Sequence, residues 1–268
     1  MKVAILAGGT GTRLAEETVV RPKPMVEIAG RPILWHIMQH YRHFGFNEFV
    51  IALGYKGECI RDFFVSECAE PGNVRVDFAS RTVSSGSGCG IGHRNGNGVS
   101  RLTPPVVDLV DTGERTATGG RIKRLGPWLG DDTFMLTWGD GVSDVDLDSL
   151  LAFHRSHGKL ATVTAVHPPG RFGCLDIRDG VVSRFQEKPA DTREWINGAF
   201  FVLEPGVLEY IEDDSTSWED GPMTRLASEG QLMAWQHDSF WQCMDTLKEK
   251  ELLQSLWDRG NAPWKCWN

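Results

Sequence analysis

The sequence predicts an α/β fold built on a parallel sheet, and the N-terminal part carries the observations that support it. The short apolar runs Val3–Leu6 and Glu48–Leu53 are typical of buried strands. Between them, Pro32–Tyr41 has apolar residues at helical spacing, with a proline suited to the first turn. Glycine-containing turns, Gly8–Gly11 and Gly54–Gly57, follow the two strands. Strands that alternate with helices in this way indicate β-α-β units and therefore parallel pairing.

The same alternation continues along the chain. The further elements that the pattern predicts are a helix over Glu58–Phe64, an extended run over Val74–Phe78, a strand over Phe134–Trp138, a helix over Asp148–His157, strands over Ala161–Val166 and Ile196–Leu203, and helices over Met223–Glu229 and Leu247–Trp257. The chain shows no internal repeat and no linker, so residues 1–268 are predicted to form a single domain.

The segment Ser84–Gly98 differs in composition from the rest of the chain. It has six glycines in fifteen residues and few apolar groups that could anchor it. This composition favours a surface loop, with a lid over a functional site as the alternative.

Composition and charge exclude several classes of protein. Apolar residues make up 41% of the 268 residues and charged residues 24%, which is usual for a globular protein with a sizeable core. The net charge of −8 argues against binding a nucleic acid polymer. We see no membrane span and no secretory pattern, and we therefore expect a cytoplasmic protein. The six cysteines form no C-x-x-C pair, which argues against structural zinc and disulfides.

The glycine turn after the first strand is the first candidate for ligand binding. In the run Leu6-Ala7-Gly8-Gly9-Thr10-Gly11-Thr12-Arg13-Leu14, glycines would let backbone N–H groups approach phosphate oxygens, and Arg13 adds a positive charge. Neither a dinucleotide fingerprint nor a P-loop fits the spacing. Taken alone, the glycines are also compatible with a tight turn that binds nothing.

Lys23 strengthens the ligand interpretation. It stands between Pro22 and Pro24, ten residues beyond Arg13 in the sequence, where the two prolines would brace its backbone. Two cations and a group of backbone amides at one turn suit a nucleoside triphosphate.

Other polar residues follow predicted strands. Asp140 stands between two glycines after Phe134–Trp138 and could reach a Mg²⁺ that bridges phosphates, or could simply cap a turn. Asp245 has the position of a helix N-cap or near-cap residue, and spacing alone does not pair it with Asp140. Arg121 follows two glycines that suggest close ligand approach. Further candidates, each a plain loop residue by default, are Glu187, Lys188, Asn197 and Gly198.

Taken together, these motifs resemble the sugar-1-phosphate nucleotidyltransferases, a Rossmann-like α/β family with a mixed, mainly parallel sheet. The resemblance extends over nearly the whole chain. Besides Leu6–Leu14 and Lys23-Pro24, it is carried by Glu16–Thr18, Pro22–Ile28, Arg31–Met38, Gly54–Gly57, Val110–Gly113, Thr118–Arg124, Gly139–Val142, Pro168–Gly173, Phe185–Pro189, Ile196–Gly198, Met244–Thr246 and Ala262–Lys265.

The resemblance implies a reaction and assigns roles to residues. It is greatest to the branch that converts CTP and α-D-glucose 1-phosphate into CDP-glucose and pyrophosphate. On this basis Gly9, Thr12, Arg13 and Lys23 would hold the CTP phosphates. The full set of nucleotide-binding residues would be Leu6, Ala7, Gly8, Gly9, Gly11, Thr12, Arg13 and Lys23. Asp140 and Asp245 would bind Mg²⁺, and the sugar phosphate would contact Arg121, Asp140, Glu187, Lys188, Asn197 and Gly198. Arg13, Lys23 and Lys188 would supply the catalytic charges.

The resemblance also implies a homo-oligomer, a hexamer in this family, and a product used in making surface polysaccharide. Two features of the chain depart from the family: Trp138 replaces a tyrosine, and Ser84–Gly98 is richer in glycine. The alternatives are the same chemistry with another nucleotide or sugar phosphate, and a catalytically silent regulatory subunit that binds nucleotide sugars.

Overall fold

A seven-stranded sheet forms the centre of the protein, whose computed structural model describes residues 1–68, 74–77, 82–85, 104–168, 174–178, 181–186 and 194–267. Its strands are β1 (Lys2–Leu6), β2 (Glu48–Leu53), β3 (Val106–Asp111), β4 (Phe134–Trp138), β5 (Ala161–Val166), β6 (Ile196–Leu203) and β7 (Leu232–His237). They lie in the order β7-β5-β6-β4-β1-β2-β3. Strand β6 is antiparallel to β4 and β5, and the other neighbours are parallel. The mixed, mainly parallel sheet is therefore confirmed.

Helices cover both faces of this sheet. The helices are α1 (Ile33–His43), α2 (Gly57–Cys68), α3 (Thr118–Leu129), α4 (Leu147–His157), α5 (Pro222–Ser228) and α6 (Leu247–Asp258), with a short helix at Ala15–Thr18 and 3-10 turns at Thr12–Leu14, Lys23–Met25 and Pro205–Tyr210. Among the described residues, two-stranded ladders join Glu27–Ile28 to Arg31–Pro32, Val74–Asp77 to Thr82–Ser85, Gly141–Ser143 to Trp241–Cys243, and Cys174–Arg178 to Val181–Gln186.

Each central strand supplies side chains to two hydrophobic cores, one on each face of the sheet. In β1, Val3 and Ile5 belong to the core that includes α1, whereas Ala4 and Leu6 belong to the core that contains Ile122 of α3. Successive side chains of a strand point to opposite faces, so a strand covered on both faces needs an uninterrupted apolar run. This is the pattern that predicted strands β1, β2, β4, β5 and β6, and the structure confirms all of them.

Helix α3 is the main element that the sequence did not reveal, because its first turn contains Gly119 and Gly120 and its last turn contains Pro127. A Cβ atom at Gly119 would lie 2.7 Å from the carbonyl oxygen of Thr216, and one at Gly120 would lie 2.6 Å from Asp214 Cα. These glycines let the helix pack against a neighbouring loop. They are therefore explained by contacts within the protein, and close approach of a ligand to this motif stays a prediction.

The glycine-rich segment is described only at its start. Ser84 and Ser85 belong to the strand Thr82–Ser85 rather than to a loop, and residues 86–98 lie outside the described residues. In the described part of the chain, none of the helices combines the length and apolar character needed to cross a membrane.

A buried histidine links α1 to the C-terminal segment. His36 is fully buried, its Nε2 donates to the carbonyl oxygen of Ile28 at 2.9 Å, and its Nδ1 accepts from Trp264 Nε1 at 3.4 Å. Burial lowers the pKa of His36 to about 4. The unfolded chain therefore takes up a proton on this ring at a higher pH than the folded chain does.

The free energy of unfolding is accordingly expected to fall as the pH drops from 6.5 towards 4. His36 contributes up to about 1.4 kcal/mol per pH unit to this decrease. Urea unfolding at pH 7, 6 and 5 measures this slope. His36→Phe should reduce the slope. Equal slopes for wild type and His36→Phe would contradict the assignment.

Candidate active site

A cavity of about 710 Å³ opens at the carboxyl ends of β1 and β4, where ligands bind in parallel α/β sheets. All eight residues predicted to hold the nucleotide line it. The described residues that form its wall are Leu6–Arg13, Lys23, Pro24, Glu114–Thr118, Arg121, Trp138–Asp140 and Asp245.

The glycine turn forms one side of the cavity. Gly11 has a φ of +63°, a conformation that glycine adopts readily, and a Cβ there would lie 2.8 Å from a methyl group of Thr18. At Gly9, by contrast, a Cβ would meet no heavy atom of the described residues within 4 Å. The backbone at Gly9 therefore faces open space, and a phosphate group could approach it there.

Arg121 lies beneath this turn and is almost completely buried. Its Nη2 donates to the carbonyl oxygen of Gly8 at 3.0 Å, and its Nη1 donates to Thr112 Oγ1 at 2.7 Å. Further hydrogen bonds reach the carbonyl oxygens of Leu53, Gly113 and Glu114 at 2.8–3.1 Å. The guanidinium group thus joins the ends of β1, β2 and β3.

This position explains one of the glycines. A Cβ at Gly8 would lie 2.2 Å from Arg121 Nη1, so the absent side chain makes room for the guanidinium group. The predicted contact of Arg121 with the sugar phosphate stays a prediction. What the sequence did not indicate is that Arg121 holds the glycine turn against the sheet.

Four charged side chains meet at the mouth of the turn. Lys23 Nζ lies 2.6 Å from Asp140 Oδ2 and 2.5 Å from Asp245 Oδ1. Arg13 Nη1 contacts the other oxygen of Asp245, Oδ2, at 2.8 Å. The structure therefore brings together the two predicted metal ligands and the two cations predicted to bind phosphate.

The backbone around the two carboxylates is fixed by hydrogen bonds. Gly139 N donates to the carbonyl oxygen of Leu6 at 3.0 Å, and Met244 N donates to that of Asp140 at 2.9 Å. Helix α6 begins with a capping box in which Thr246 is the N-cap, and Asp245 N donates to Glu249 Oε2 at 2.7 Å. Asp245 is therefore the residue before the cap, with its side chain directed to Lys23 and Arg13.

The contacts between Asp245 and Lys23 keep both side chains charged. Burial would raise the pKa of Asp245, but the hydrogen bond and charge of Lys23, with the charge of Arg13, lower it below its usual value. Burial would likewise lower the pKa of Lys23, and the charges and hydrogen bonds of Asp140 and Asp245 raise it instead. At neutral pH the site holds an ionised Asp245 and a protonated Lys23.

The donor set fits a hard divalent cation. Two carboxylates facing one position supply the oxygen ligands that Mg²⁺ prefers, and an ammonium group, itself a cation, lies between them. Cys243 Sγ and Glu249 also place ligand atoms near Asp245. Burial raises the pKa of the Cys243 thiol to about 12, and sulfur is a soft ligand that Mg²⁺ does not prefer.

Of the residues predicted for the sugar phosphate, Arg121 and Asp140 line the cavity. Asn197 Oδ1 accepts from Ala199 N at 2.8 Å, and Gly198 O accepts from Trp241 Nε1 at 2.7 Å. Neither Asn197 nor Gly198 is among the described residues that line the cavity. Glu187 and Lys188 lie outside the described residues.

Sequence reasoning did not identify part of the cavity wall, namely Glu114–Thr118 and Trp138. Trp138 ends β4, and its ring packs against Phe201 with 5.3 Å between centroids. Its position at the carboxyl end of a predicted central strand was a signal that could have identified it. Glu114–Thr118 is a polar stretch after β3, a strand that was itself missed.

Comparison with known proteins identifies the class to which this fold and site belong. The family model for nucleotidyl transferases matches residues 2–88 and 116–245, and the chain belongs to this family. Over 268 residues and the full length of both chains, it is 49% identical to the glucose-1-phosphate cytidylyltransferase of Salmonella typhimurium. It is also 39% identical to the probable glucose-1-phosphate cytidylyltransferase of Bacillus subtilis, again over both full lengths.

Solved structures support the fold. The crystal structure of HddC from Yersinia pseudotuberculosis matches with a TM-score of 0.65 and 22% identity, over 96% of this chain and 99% of that one. A putative glucose-1-phosphate thymidylyltransferase from Bacillus anthracis matches with a TM-score of 0.63 and 17% identity, over 100% and 96% of the two chains. The family resemblance and the enzyme class predicted from the sequence are confirmed.

Proposed function

We propose that the protein is a glucose-1-phosphate cytidylyltransferase, which makes CDP-glucose and pyrophosphate from CTP and α-D-glucose 1-phosphate. The full-length identity to such enzymes supports the substrates. The observation that carries the chemistry is the cluster of Arg13, Lys23, Asp140 and Asp245 beside the glycine turn.

The main barrier to this reaction is electrostatic, because an anionic sugar phosphate must attack the α-phosphorus of an anionic triphosphate in line with the leaving group. Gly9, Gly11 and Thr12 would hold the triphosphate with the backbone, while Arg13 and Lys23 neutralise its charge. Mg²⁺ held by Asp140 and Asp245 would stabilise the negative charge on the α-phosphate and on the leaving pyrophosphate. The protein's part is positioning and charge neutralisation, and no covalent intermediate is needed.

Release of pyrophosphate from CTP and glucose 1-phosphate in the presence of Mg²⁺ tests the proposal. Parallel reactions with UTP and dTTP, and with other sugar 1-phosphates, measure selectivity. Faster turnover with another pair would reassign the substrates within the same chemistry. If no pair of nucleotide and sugar 1-phosphate gave pyrophosphate, the proposed enzymatic activity would be refuted.

For the sugar phosphate we propose Glu187, Lys188 and Asn197 as ligands, following the family pattern. Lys188→Ala is expected to raise KM for glucose 1-phosphate about tenfold or more, because one charge-assisted contact to its phosphate is lost. Steady-state kinetics with each substrate varied in turn measure this. Lys159→Ala, in the turn after α4, serves as the control. A change confined to KM for CTP would move Lys188 to the nucleotide.

The remaining proposals concern the setting of the enzyme. We propose a single-domain, cytoplasmic homo-oligomer, with a hexamer as the family expectation, whose CDP-glucose supplies surface polysaccharide synthesis. Light scattering after size-exclusion chromatography tests the assembly, and a monomeric mass at micromolar concentration would contradict it.

A further inference from the structure

The position between Asp140 and Asp245 is occupied by the ammonium group of Lys23, and this contact has a consequence for metal binding. We propose that Lys23 and the divalent cation compete for the two carboxylates, so that the cation binds together with the triphosphate rather than alone. The inference rests on the proposed function, since it concerns the metal of that same reaction.

The geometry makes the two arrangements mutually exclusive. Lys23 Nζ is within 2.6 Å of both Asp140 Oδ2 and Asp245 Oδ1. A Mg²⁺ ion bound to the same two oxygens would lie about 2.1 Å from each, in the space that Nζ occupies. The other oxygen of Asp245 is in contact with Arg13. A metal ion can therefore bind Asp140 Oδ2 and Asp245 Oδ1 together only if Lys23 moves.

Only the side chain of Lys23 is free to make this movement. Its backbone is held between Pro22 and Pro24, with hydrogen bonds from Met25 N to Pro22 O at 2.8 Å and from Val26 N to Lys23 O at 3.0 Å. The flexible four-carbon stem can rotate about its own bonds without disturbing this turn.

The Lys23 side chain lies next to the glycine turn and can move towards it. A Cβ at Gly11 would lie 3.1 Å from Lys23 Cβ, so the lysine side chain begins directly beside the turn. Rotation of the stem away from the carboxylates can bring its charge to a triphosphate held by Gly9 and Gly11. One movement would then release the metal ligands and supply a phosphate contact.

The charges of the cluster favour this coupling. Two carboxylates and two cations, Lys23 and Arg13, balance one another, and Lys23, Asp245 and Asp140 are only 10%, 14% and 26% exposed, whereas Arg13 is 73% exposed. A divalent cation arriving alone would leave excess positive charge there, which is costly where the effective dielectric constant is low. A cation that arrives with a triphosphate brings net negative charge, to which both basic side chains can turn.

Binding of Mn²⁺ to the whole protein, followed by electron paramagnetic resonance of the free ion, tests the competition without turnover. Wild type should bind Mn²⁺ weakly alone and at least tenfold more tightly with CTP present, after the Mn²⁺ bound by CTP in a protein-free sample is subtracted. Lys23→Met should bind Mn²⁺ without nucleotide at least tenfold more tightly than wild type, and Lys23→Gln provides a second neutral variant. Adding Asp140→Asn to Lys23→Met should abolish the increase in Mn²⁺ affinity, which would show that the extra Mn²⁺ binds at this site.

Lys123→Met is the matched control, because the Lys123 ammonium contacts the carbonyl oxygens of Ile211 and Glu212. It should bind Mn²⁺ as wild type does. Unchanged or weaker Mn²⁺ binding by both folded Lys23 variants would overturn the competition, even if CTP still promotes Mn²⁺ binding to wild type. Failure of the proposed function is a separate result, seen as no pyrophosphate release by wild type with any substrate pair.

Discussion

Asp140→Asn is expected to lower kcat for pyrophosphate release by on the order of 10²–10³, the usual cost of removing one preorganised charge from a reacting centre. An amide keeps the shape of the side chain but loses the charge that we propose holds a divalent cation. Lys23, which now contacts both Asp140 and Asp245, would be left with one carboxylate. Initial rates at saturating CTP and glucose 1-phosphate measure the effect.

Asp146→Asn, in the same stretch of chain, is the control for this substitution. Asp146 caps α4 by accepting a hydrogen bond from Ser149 N at 2.8 Å, and asparagine caps helices equally well. This variant should turn over like wild type. Far-UV circular dichroism should show that Asp140→Asn is folded, because the backbone contacts at this position do not involve the carboxylate. Wild-type turnover by folded Asp140→Asn would remove Asp140 from the metal site.

The sequence predicted those elements whose local residue pattern is compatible with a single type of secondary structure. Strands covered on both faces must be apolar throughout, and β1, β2 and β4 stand out for this reason. The order of the strands was not predictable, since it depends on contacts between distant segments. Strands β3 and β7, at the two edges of the sheet, were missed because exposed positions interrupt their apolar pattern.

In the candidate site too, contacts between residues close in sequence were predictable and contacts between distant residues were not. The glycine turn and Lys23 are near one another in sequence, and their pattern predicted a phosphate site. Both line the same cavity. Asp140 and Asp245 are far apart in the chain, and they meet because the ladder between Gly141–Ser143 and Trp241–Cys243 joins the segments that carry them. Spacing could not have paired them, although the family resemblance did.

Arg121 illustrates that a glycine motif has more than one structural explanation. The glycines before it pack against the loop at Asp214, and the glycine of the nucleotide turn that lies closest to it, Gly8, makes room for its guanidinium group. A glycine indicates close approach by some group, and the sequence does not say whether that group is a ligand or the protein itself. Only the three-dimensional contacts distinguish the two glycines. A Cβ at Gly8 would meet Arg121, whereas a Cβ at Gly9 would meet no heavy atom of the described residues within 4 Å.

Arg121→Lys is expected to lower the free energy of unfolding by on the order of 3 kcal/mol, because a lysine cannot satisfy the set of buried oxygens that the guanidinium group reaches. The glycine turn should then lose its attachment to the ends of the neighbouring strands. We therefore also expect KM for CTP to rise more than KM for glucose 1-phosphate. Urea unfolding and kinetics with each substrate varied in turn measure the two effects.

Arg124→Lys is the matched control on the same helix. Arg124 is partly exposed and pairs with Asp214 at the surface, where such pairs contribute about 1 kcal/mol or less. Wild-type stability of Arg121→Lys would show that the turn does not depend on this guanidinium group. An increase confined to KM for glucose 1-phosphate would instead assign Arg121 to the sugar phosphate, because a displaced glycine turn would weaken binding of the nucleotide that we propose it holds.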